Sequence, residues 1–243
     1  MAIRNQLPNL ITALNLLAGC LSIMFVAEGN ITLASLMVLV ASVFDFLDGF
    51  VARILNAYSK LGAQLDSLAD VVSFGVAPGF IMYFLIREST NQLSDEMSFV
   101  HFLPFLAFLI PVFSAIRLAK FNLDERQTDS FIGLPTPAAS IFIAGLPFLF
   151  AKTLISIPPL ECFISHHYFL TFLVLILSAL MVSGVSLFSL KFKSFKISRN
   201  KLRYVFLFLS LLLMILLHFA ALPVIILVYI ILSLLQRRNN ESY

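Results

Sequence analysis

The stretch from Asp45 to Asp70 reads DFLDGFVARILNAYSKLGAQLDSLAD, and it places four aspartates between two strongly apolar segments. Asp45 and Asp48 lie three residues apart, whereas Asp66 and Asp70 lie four residues apart. At about 3.6 residues per helical turn, the members of each pair share one face of a helix. Because the connection between the pairs is short, the two helices are predicted to be antiparallel neighbours. The spacing therefore predicts that four carboxylates converge at one level of the fold.

The rest of the chain is too apolar for a soluble domain. Of its 243 residues, 60% are hydrophobic and only 12% are charged, against about 25% charged residues in an average soluble protein. The apolar residues form blocks of about 20, the length that crosses a bilayer. The sequence predicts an all-α, polytopic membrane protein with a single domain over 1–243. A net charge of +3 gives no case for a nucleic-acid partner.

Eight membrane spans are predicted from these blocks. They cover about 8–28, 31–53, 66–87, 100–120, 136–153, 167–189, 203–219 and 221–236. The last two are separated only by HFAALPV, in which Pro223 suits the first turn of a new helix. One bent helix at this position would instead give seven spans.

The charges of the loops predict the orientation of the chain. Cytoplasmic loops of membrane proteins carry an excess of Lys and Arg. The loop 191–203 has six basic residues and no acidic one, and the tail carries Arg237 and Arg238. Eight spans put both of these segments, both termini and the four aspartates on the cytoplasmic side. We therefore expect a multi-pass protein of the cell (inner) membrane with its acidic cluster at the cytoplasmic face.

The acidic cluster predicts a divalent metal site. A carboxylate at the bilayer centre costs at least about 2.5–3.5 kcal/mol, and four mutually repelling carboxylates add to this cost even near the interface. Mg²⁺ or Mn²⁺ offsets both effects, and a pair of such ions suits phosphoryl chemistry. Two other interpretations are solvated loop charges and a cation-coupled transporter. A transporter predicts acids spread across the depth of the membrane, not collected at one face.

Small residues and a cation accompany the acids. Gly49, Ala52 and Gly62 leave room for a bulky ligand beside the carboxylates. Arg53 supplies a planar cationic group suited to a phosphate, and Ser67 supplies a hydroxyl. The surroundings of the aspartates thus favour a large phosphorylated ligand.

The full pattern is D-x2-D-G-x2-A-R-x8-G-x3-D-x3-D. It is matched by Asp45, Asp48, Gly49, Ala52, Arg53, Gly62, Asp66 and Asp70. This pattern resembles the signature of the CDP-alcohol phosphatidyltransferases. The resemblance implies a catalytic six-helix core over about 8–190 and a homodimer, and the two spans predicted over about 203–236 are additional to that core.

The resemblance also implies roles for individual residues. Asp45, Asp48, Asp66 and Asp70 hold divalent metal, and Asp70 acts as the general base. The CDP-linked lipid is bound by Gly49, Ala52, Arg53, Gly62, Ser67, Asn9 and Thr12.

Four further stretches resemble the phosphatidylserine synthase branch of that family. They are LPNLITALNLLAGCLSI at 7–23, SFGVAPG at 73–79, IRLAKFN at 116–122 and FIGLPTPAA at 131–139. This resemblance implies CDP-diacylglycerol and L-serine as substrates. No Ser or Cys nucleophile with an adjacent His is evident near the acids, so metal-assisted direct displacement of CMP is the simpler mechanism.

The acceptor is expected to bind at the cytoplasmic end of the fourth span. Arg117 and Lys120 are three residues apart there, and Asn122 follows. The guanidinium of an arginine matches a carboxylate, which serine carries. The same basic residues also suit a phosphorylated acceptor, such as glycerol 3-phosphate or an inositol phosphate, or serve only as anchors at the membrane surface.

Overall fold

The computed structural model describes residues 3–91, 99–123, 130–150, 164–188 and 200–241. Over these residues the chain forms nine α-helices, and all but one of them are apolar enough to be buried in protein or lipid. The helices are α1 (Ile3–Ala27), α2 (Ile31–Ile54), α3 (Lys60–Asp70), α4 (Ala77–Asn91), α5 (Leu109–Leu123), α6 (Thr136–Phe150), α7 (His167–Val182), α8 (Lys201–Leu217) and α9 (Ala221–Glu241). The exception is α3, the amphipathic helix that carries Asp66 and Asp70.

Helices α1 and α2 form a hairpin because the chain reverses sharply at Gly29. Gly29 has a φ of 77°, a left-handed conformation that glycine adopts without a steric penalty. The amides of Gly29 and Asn30 donate back to the carbonyls of Val26 and Phe25, which closes the end of α1. The side chain of Asn30 then accepts a hydrogen bond from the amide of Leu33 and caps α2. The two helices pack along each other, so one face of α1 lies against the acidic end of α2.

A continuous helical segment runs from α3 into α4. A π-helical turn, Val71–Val76, joins them immediately after Asp70. The whole segment, 60–91, begins earlier than the predicted span 66–87, because Ser59 caps the helix by accepting a hydrogen bond from the amide of Gly62. Helix α4 lies at the centre of the bundle, where Ile81, Met82 and Ile86 are fully buried.

The fourth predicted span contains two helix types. A 3₁₀ segment, Val100–Phe108, precedes α5 and contains Pro104. Glycines on the neighbouring segment allow close packing here: a Cβ on Gly79 would lie 3.0 Å from Cδ of Pro111, and one on Gly75 would lie 3.1 Å from Cβ of Ser114. The end of α5 is thereby held beside the end of α3.

The prediction of a span at 167–189 is wrong at its end. Helix α7 ends at Val182, and Ser183 is already extended, with a ψ of 155°. Strand β2 (Ser186–Phe188) pairs antiparallel with strand β1 (Ser130–Ile132). Continuous hydropathy hides this change, because an apolar strand buried beneath a helix is as hydrophobic as a membrane helix. The fold is thus a helical bundle, as predicted, with one short ribbon of two strands.

The last apolar run contains two helices. His218 has a φ of 53°, which breaks the run between α8 and α9. The rings of Phe206 on α8 and Tyr229 on α9 lie 5.8 Å apart, although 23 residues of one straight helix would separate them by about 34 Å. The two helices therefore fold back on each other, as the prediction of two helices requires.

Within the described residues, five segments are long and apolar enough to cross a membrane, and the last of them contains both α8 and α9. They are Gln6–Ala27, Ile31–Ile54, Lys60–Asn91, Val100–Leu123 and Leu202–Leu235, and the apolar helices Thr136–Phe150 and His167–Val182 are shorter. The chain is a multi-pass membrane protein. The predicted end of the fifth span at 153 and most of the basic loop 191–203 lie outside the described residues.

Candidate active site

Three of the four predicted carboxylates meet at one point. Oxygen atoms of Asp45 and Asp48 on α2 and of Asp66 on α3 all lie within 4.8 Å of one another. Asp70 lies outside this group, at the end of α3, and is 8% exposed. It remains within Coulombic range of the other three carboxylates. The predicted convergence of the two helical faces is therefore found, with Asp70 set to one side.

The turn between α2 and α3 brings the two acidic faces together. Asn56 is left-handed, with a φ of 45°, and its amide donates to the carbonyl of Arg53. The amide of Ala57 donates to the carbonyl of Ala52, which completes a closed helix end. Asparagine tolerates this conformation better than most residues. The chain is thus ready to start α3 at Ser59, only a few residues later.

The geometry of the three carboxylates fits a divalent cation. They offer hard oxygen atoms, which Mg²⁺ and Mn²⁺ prefer. Oδ1 of Asp66 is buried, and no hydrogen-bond donor among the described residues reaches it. A buried carboxylate oxygen without a donor is costly unless a cation satisfies it. These three residues could therefore hold a metal ion.

Helix α1 supplies polar partners to the acids. The hydroxyl of Thr12 lies 2.6 Å from Oδ2 of Asp48 and 3.1 Å from the carbonyl of Pro8. The side-chain amide of Asn15 donates to Oδ1 of Asp70 at 3.3 Å. Thr12 and Asn15 are three residues apart and lie on the same face of α1. Thr12 had been predicted to contact the lipid nucleotide, whereas the structure gives it a carboxylate partner.

Sequence reasoning did not assign Asn15 to the site. The residue is fully buried, and the hydroxyl of Ser73 in the π-helical turn donates to its backbone carbonyl at 3.0 Å. A Cβ on Gly19 would lie 2.8 Å from Cα of Ser73, so a side chain at 19 would push the turn away from α1. The signal was available in the spacing of Asn9, Thr12 and Asn15, which repeats every three residues in an otherwise apolar helix.

A cleft of about 250 Å³ opens beside the acids. Most residues predicted to bind the CDP-linked lipid line it. These residues are Asn9, Thr12, Gly49, Ala52, Arg53 and Gly62. The predicted metal ligands Asp48 and Asp66 line the cleft as well. Tyr58, Ser59 and Ala63 also line the cleft and were not predicted to bind ligand. A Cβ on Gly62 would lie 2.9 Å from Oδ1 of Asn9, so glycine keeps this wall open.

Ser67 and Asn122 do not line the cleft. The side-chain amide of Asn122 donates to the hydroxyl of Ser67 at 2.9 Å, and that hydroxyl lies 3.1 Å from the carbonyl of Ala63. The two residues were predicted to bind different substrates, yet they bond to each other. Their contact joins the end of α5 to α3.

A second pocket, of about 140 Å³, lies at the end of α5. Arg117 and Lys120, the two basic residues predicted to bind the acceptor, both line it. Arg117 is only 7% exposed, and its guanidinium carbon lies 5.8 Å from the centre of the Phe121 ring. Its Nε atom is buried without a hydrogen-bond acceptor in the part of the chain that the structure describes.

Arg117, which lines the second pocket, interacts electrostatically with Asp70. The guanidinium of Arg117 is within Coulombic range of the Asp70 carboxylate. A buried cation with an unused donor thus acts electrostatically on the acid that the sequence predicts to be the base. The arrangement suits an anionic molecule in the second pocket that reacts with a larger anion held in the first.

The comparisons with known proteins agree with this chemistry. The family model for CDP-alcohol phosphatidyltransferases matches residues 5–172. The chain belongs to the CDP-alcohol phosphatidyltransferase family. The matched part contains all four aspartates and Arg117, and it makes the chain a membrane transferase of phospholipid biosynthesis.

Curated relatives carry the name of the predicted branch. A CDP-diacylglycerol–serine O-phosphatidyltransferase of Helicobacter pylori (strain ATCC 700392 / 26695) is 36% identical over 188 residues, which are 73% of this chain and 70% of that protein. The enzyme of the same name from Bacillus subtilis (strain 168) is 35% identical over 157 residues, or 63% of this chain and 81% of that protein. The predicted resemblance to this branch is confirmed.

An archaeal relative has a different printed name. An archaetidylserine synthase of Methanothermobacter thermautotrophicus is 35% identical over 141 residues. The matched residues are 57% of this chain and 56% of that protein, so this likeness spans only about half of the relative.

Proposed function

We propose that the chain transfers the phosphatidyl group of CDP-diacylglycerol to the hydroxyl of L-serine, giving phosphatidylserine and CMP. The observation that carries this proposal is the acidic cluster of Asp45, Asp48 and Asp66, two of which line the cleft, together with the buried Arg117 that lines the second pocket. The names of the relatives favour serine among the acceptors that a basic pocket could bind.

Asp45, Asp48 and Asp66 are proposed to hold Mg²⁺ or Mn²⁺, with Asp70 as a ligand of a second ion. When bound, such ions would neutralise the charge of the pyrophosphate and assist departure of CMP. The close approach of the three carboxylates and the unpartnered oxygen of Asp66 support this assignment.

The lipid nucleotide is proposed to occupy the cleft beside the acids. Asn9, Gly49, Ala52 and Gly62 would allow its close approach, and Arg53 would pair with a phosphate. Thr12 is proposed to act at the same place by holding Asp48 while it lines the cleft. Ser67 is also proposed to contact the nucleotide, and its hydroxyl accepts a hydrogen bond from the side-chain amide of Asn122.

Asp70 is proposed to be the general base. It would take the proton from the serine hydroxyl as that oxygen attacks the phosphorus that carries the diacylglycerol. A new oxygen–phosphorus bond to serine forms while the bond to the bridging oxygen of the pyrophosphate breaks, and that oxygen leaves with CMP. A single in-line displacement accounts for all atoms without a covalent enzyme intermediate.

Arg117 and Lys120 are proposed to bind the serine carboxylate, and Asn122 to contribute from the edge of the pocket. Arginine forms paired hydrogen bonds with a carboxylate, and the buried Nε of Arg117 has an unused donor for this purpose. A phosphate of glycerol 3-phosphate or of an inositol phosphate would suit the same groups, which makes these molecules the alternative acceptors.

The membrane arrangement is part of the proposal. Eight spans would place both termini and the site at the cytoplasmic face of the inner membrane, as the basic loops suggest. Residues 1–243 would form one membrane domain, with a catalytic core at about 8–190 and two further spans at about 203–236. A homodimer is the proposed oligomeric state.

An acceptor screen tests the proposed function. Purified protein would receive CDP-diacylglycerol, Mn²⁺ or Mg²⁺, and separately serine, glycerol 3-phosphate or an inositol phosphate. We expect CMP release with serine, and its loss when a chelator replaces the metal. Release of CMP only with a non-serine acceptor would reject the serine assignment and retain the family.

A further inference from the structure

The wall of the second pocket that faces Arg117 and Lys120 is built from a turn at the end of α7. Met181, Val182, Ser183 and Gly184 line it in succession. Ser183 donates its hydroxyl to the carbonyl of Leu180 at 2.8 Å, so the hydroxyl is already used within the turn. The part of this wall offered to a ligand therefore consists mainly of backbone and apolar atoms.

The turn is fixed by the segment that follows α5. The amide of Gly133 donates to the carbonyl of Val185 at 2.8 Å, and the amide of Leu134 donates to the carbonyl of Leu180 at 2.9 Å. Gly133 has a φ of 76°, and a Cβ there would overlap the carbonyl of Met181. Pairing of β1 with β2 continues the same connection. The wall is thus held on both sides and cannot move away easily from a ligand.

Helix α9 packs behind the turn. Ile230 and Leu234 share an apolar crevice with Ser183, Val185 and Leu187. Both α9 and residues 181–188 lie beyond the part of the chain that the family model matches. The basic side of the pocket therefore comes from the part of the chain that the family model matches, whereas the turn at 181–184 lies beyond that part.

Gly184 is the residue of this wall at which the surrounding described residues leave space for a side chain. A Cβ placed on it would meet no atom of the described residues within 4 Å. Its φ lies outside the left-handed region, so alanine or a larger residue would fit the backbone without strain. The packing of the described residues does not require glycine here, and Gly184 is one of the residues that line the pocket of about 140 Å³.

We infer that Gly184 determines which acceptor the enzyme takes, by setting the size limit of the pocket opposite Arg117. The inference rests on the proposed function, because it makes the second pocket the acceptor site. In this inference, Arg117 and Lys120 recognise the charge of the acceptor, and the turn at the end of α7 limits its volume.

The test is a series of substitutions, Gly184→Ala, Gly184→Val and Gly184→Leu, in the full-length protein. We expect KM for serine to rise with side-chain size, by about tenfold or more for the leucine variant. KM for CDP-diacylglycerol should stay unchanged, because the donor cleft shares no residue with this pocket. Ala27→Leu, at the exposed end of α1, serves as the matched control and should change neither constant.

Two results would overturn the inference. One is an unchanged KM for serine in a folded Gly184→Leu enzyme, with thermal stability equal to that of the wild type. The other is an equal rise in both KM values, which would indicate general damage. Failure of the proposed function looks different, because the wild type would then release no CMP with serine. In that case the same series is scored on KM for the acceptor that is used.

Discussion

At the scale of single residues, the aspartates show which contacts a sequence pattern can predict. The spacing of Asp45, Asp48 and Asp66 was enough to predict their convergence, because helical periodicity fixes which side chains share a face. The spacing did not predict that Asp70 is held by Asn15, because partners from a separate helix depend on how α1 packs. Contacts within a helix, and between two helices joined by a short turn, follow from the sequence, whereas contacts with the separate helix α1 need the fold.

Replacing Asp70 tests its proposed role as the general base. Asp70→Asn keeps the size of the side chain but cannot take up a proton at neutral pH. We expect kcat to fall roughly a hundred- to ten-thousand-fold, the usual contribution of a general base. CDP-lipid binding and folding should persist. Phosphatidylserine formation at a near wild-type rate, with binding verified, would show that the base has been assigned wrongly.

Replacing Asn15 tests whether its hydrogen bond to Asp70 supports the general base. Asn15→Leu has a similar volume but no donor for Oδ1 of Asp70, which is left without its hydrogen bond. We expect kcat to fall about tenfold with little change in KM for either substrate, consistent with the loss of about 1.5 kcal/mol. Steady-state kinetics with both substrates varied would measure this.

The control for Asn15 lies on the same helix. Ser22 is also fully buried, but its hydroxyl donates to the carbonyl of Ala34, away from the acids. Ser22→Ala should lower stability somewhat and leave kcat unchanged. Equal losses of kcat in the two variants would mean that Asn15 serves only the packing of α1.

At the scale of secondary-structure elements, hydropathy predicted most helices and missed the places where the chain changes type. The segment 167–189 was predicted to be one span, but it ends at Val182 and continues into a strand. The start of α3 at Lys60 was also missed, because it depends on the cap of Ser59 rather than on apolar residues. Both misses lie next to a pocket, where backbone geometry rather than burial decides the structure.

Gly133 tests the connection between these elements. Gly133→Ala places a Cβ against the carbonyl of Met181 in a left-handed conformation. We expect a loss of about 1–3 kcal/mol of stability and a higher KM for serine, because the turn behind the acceptor pocket must shift. Thermal unfolding in detergent and serine kinetics measure the two effects. Gly184→Ala is the matched control for stability, and a Gly133→Ala protein as stable as that control would contradict the account of the turn.

At the scale of the whole molecule, the orientation rests on loop charge and remains a prediction. The structure gives two helices, α8 and α9, where the sequence allowed one. Two helices agree with eight spans, and eight spans put the basic loop and the tail on the same side. Large apolar side chains are exposed along much of the bundle, so the charge of the loops, rather than the packing of the helices, sets the predicted orientation.

Cysteine labelling tests the orientation. In a variant with Cys20 and Cys162 replaced by alanine, Ser94→Cys and Ser194→Cys would be introduced separately. An impermeant thiol reagent should label the cysteine at 94 in intact cells and the cysteine at 194 only after permeabilisation, because 191–203 is predicted to be cytoplasmic. Labelling of the cysteine at 194 in intact cells would reverse the predicted topology and remove the site from the cytoplasmic face.

The most direct test of the central claim follows the oxygen atom of serine. Purified protein would be incubated with CDP-diacylglycerol, Mn²⁺ and serine whose hydroxyl carries heavy oxygen. If that hydroxyl attacks the lipid phosphorus, the heavy oxygen must appear in the phosphodiester of phosphatidylserine, and CMP must remain unlabelled. A serine lipid without the heavy oxygen, or label recovered in CMP, would contradict the proposed reaction.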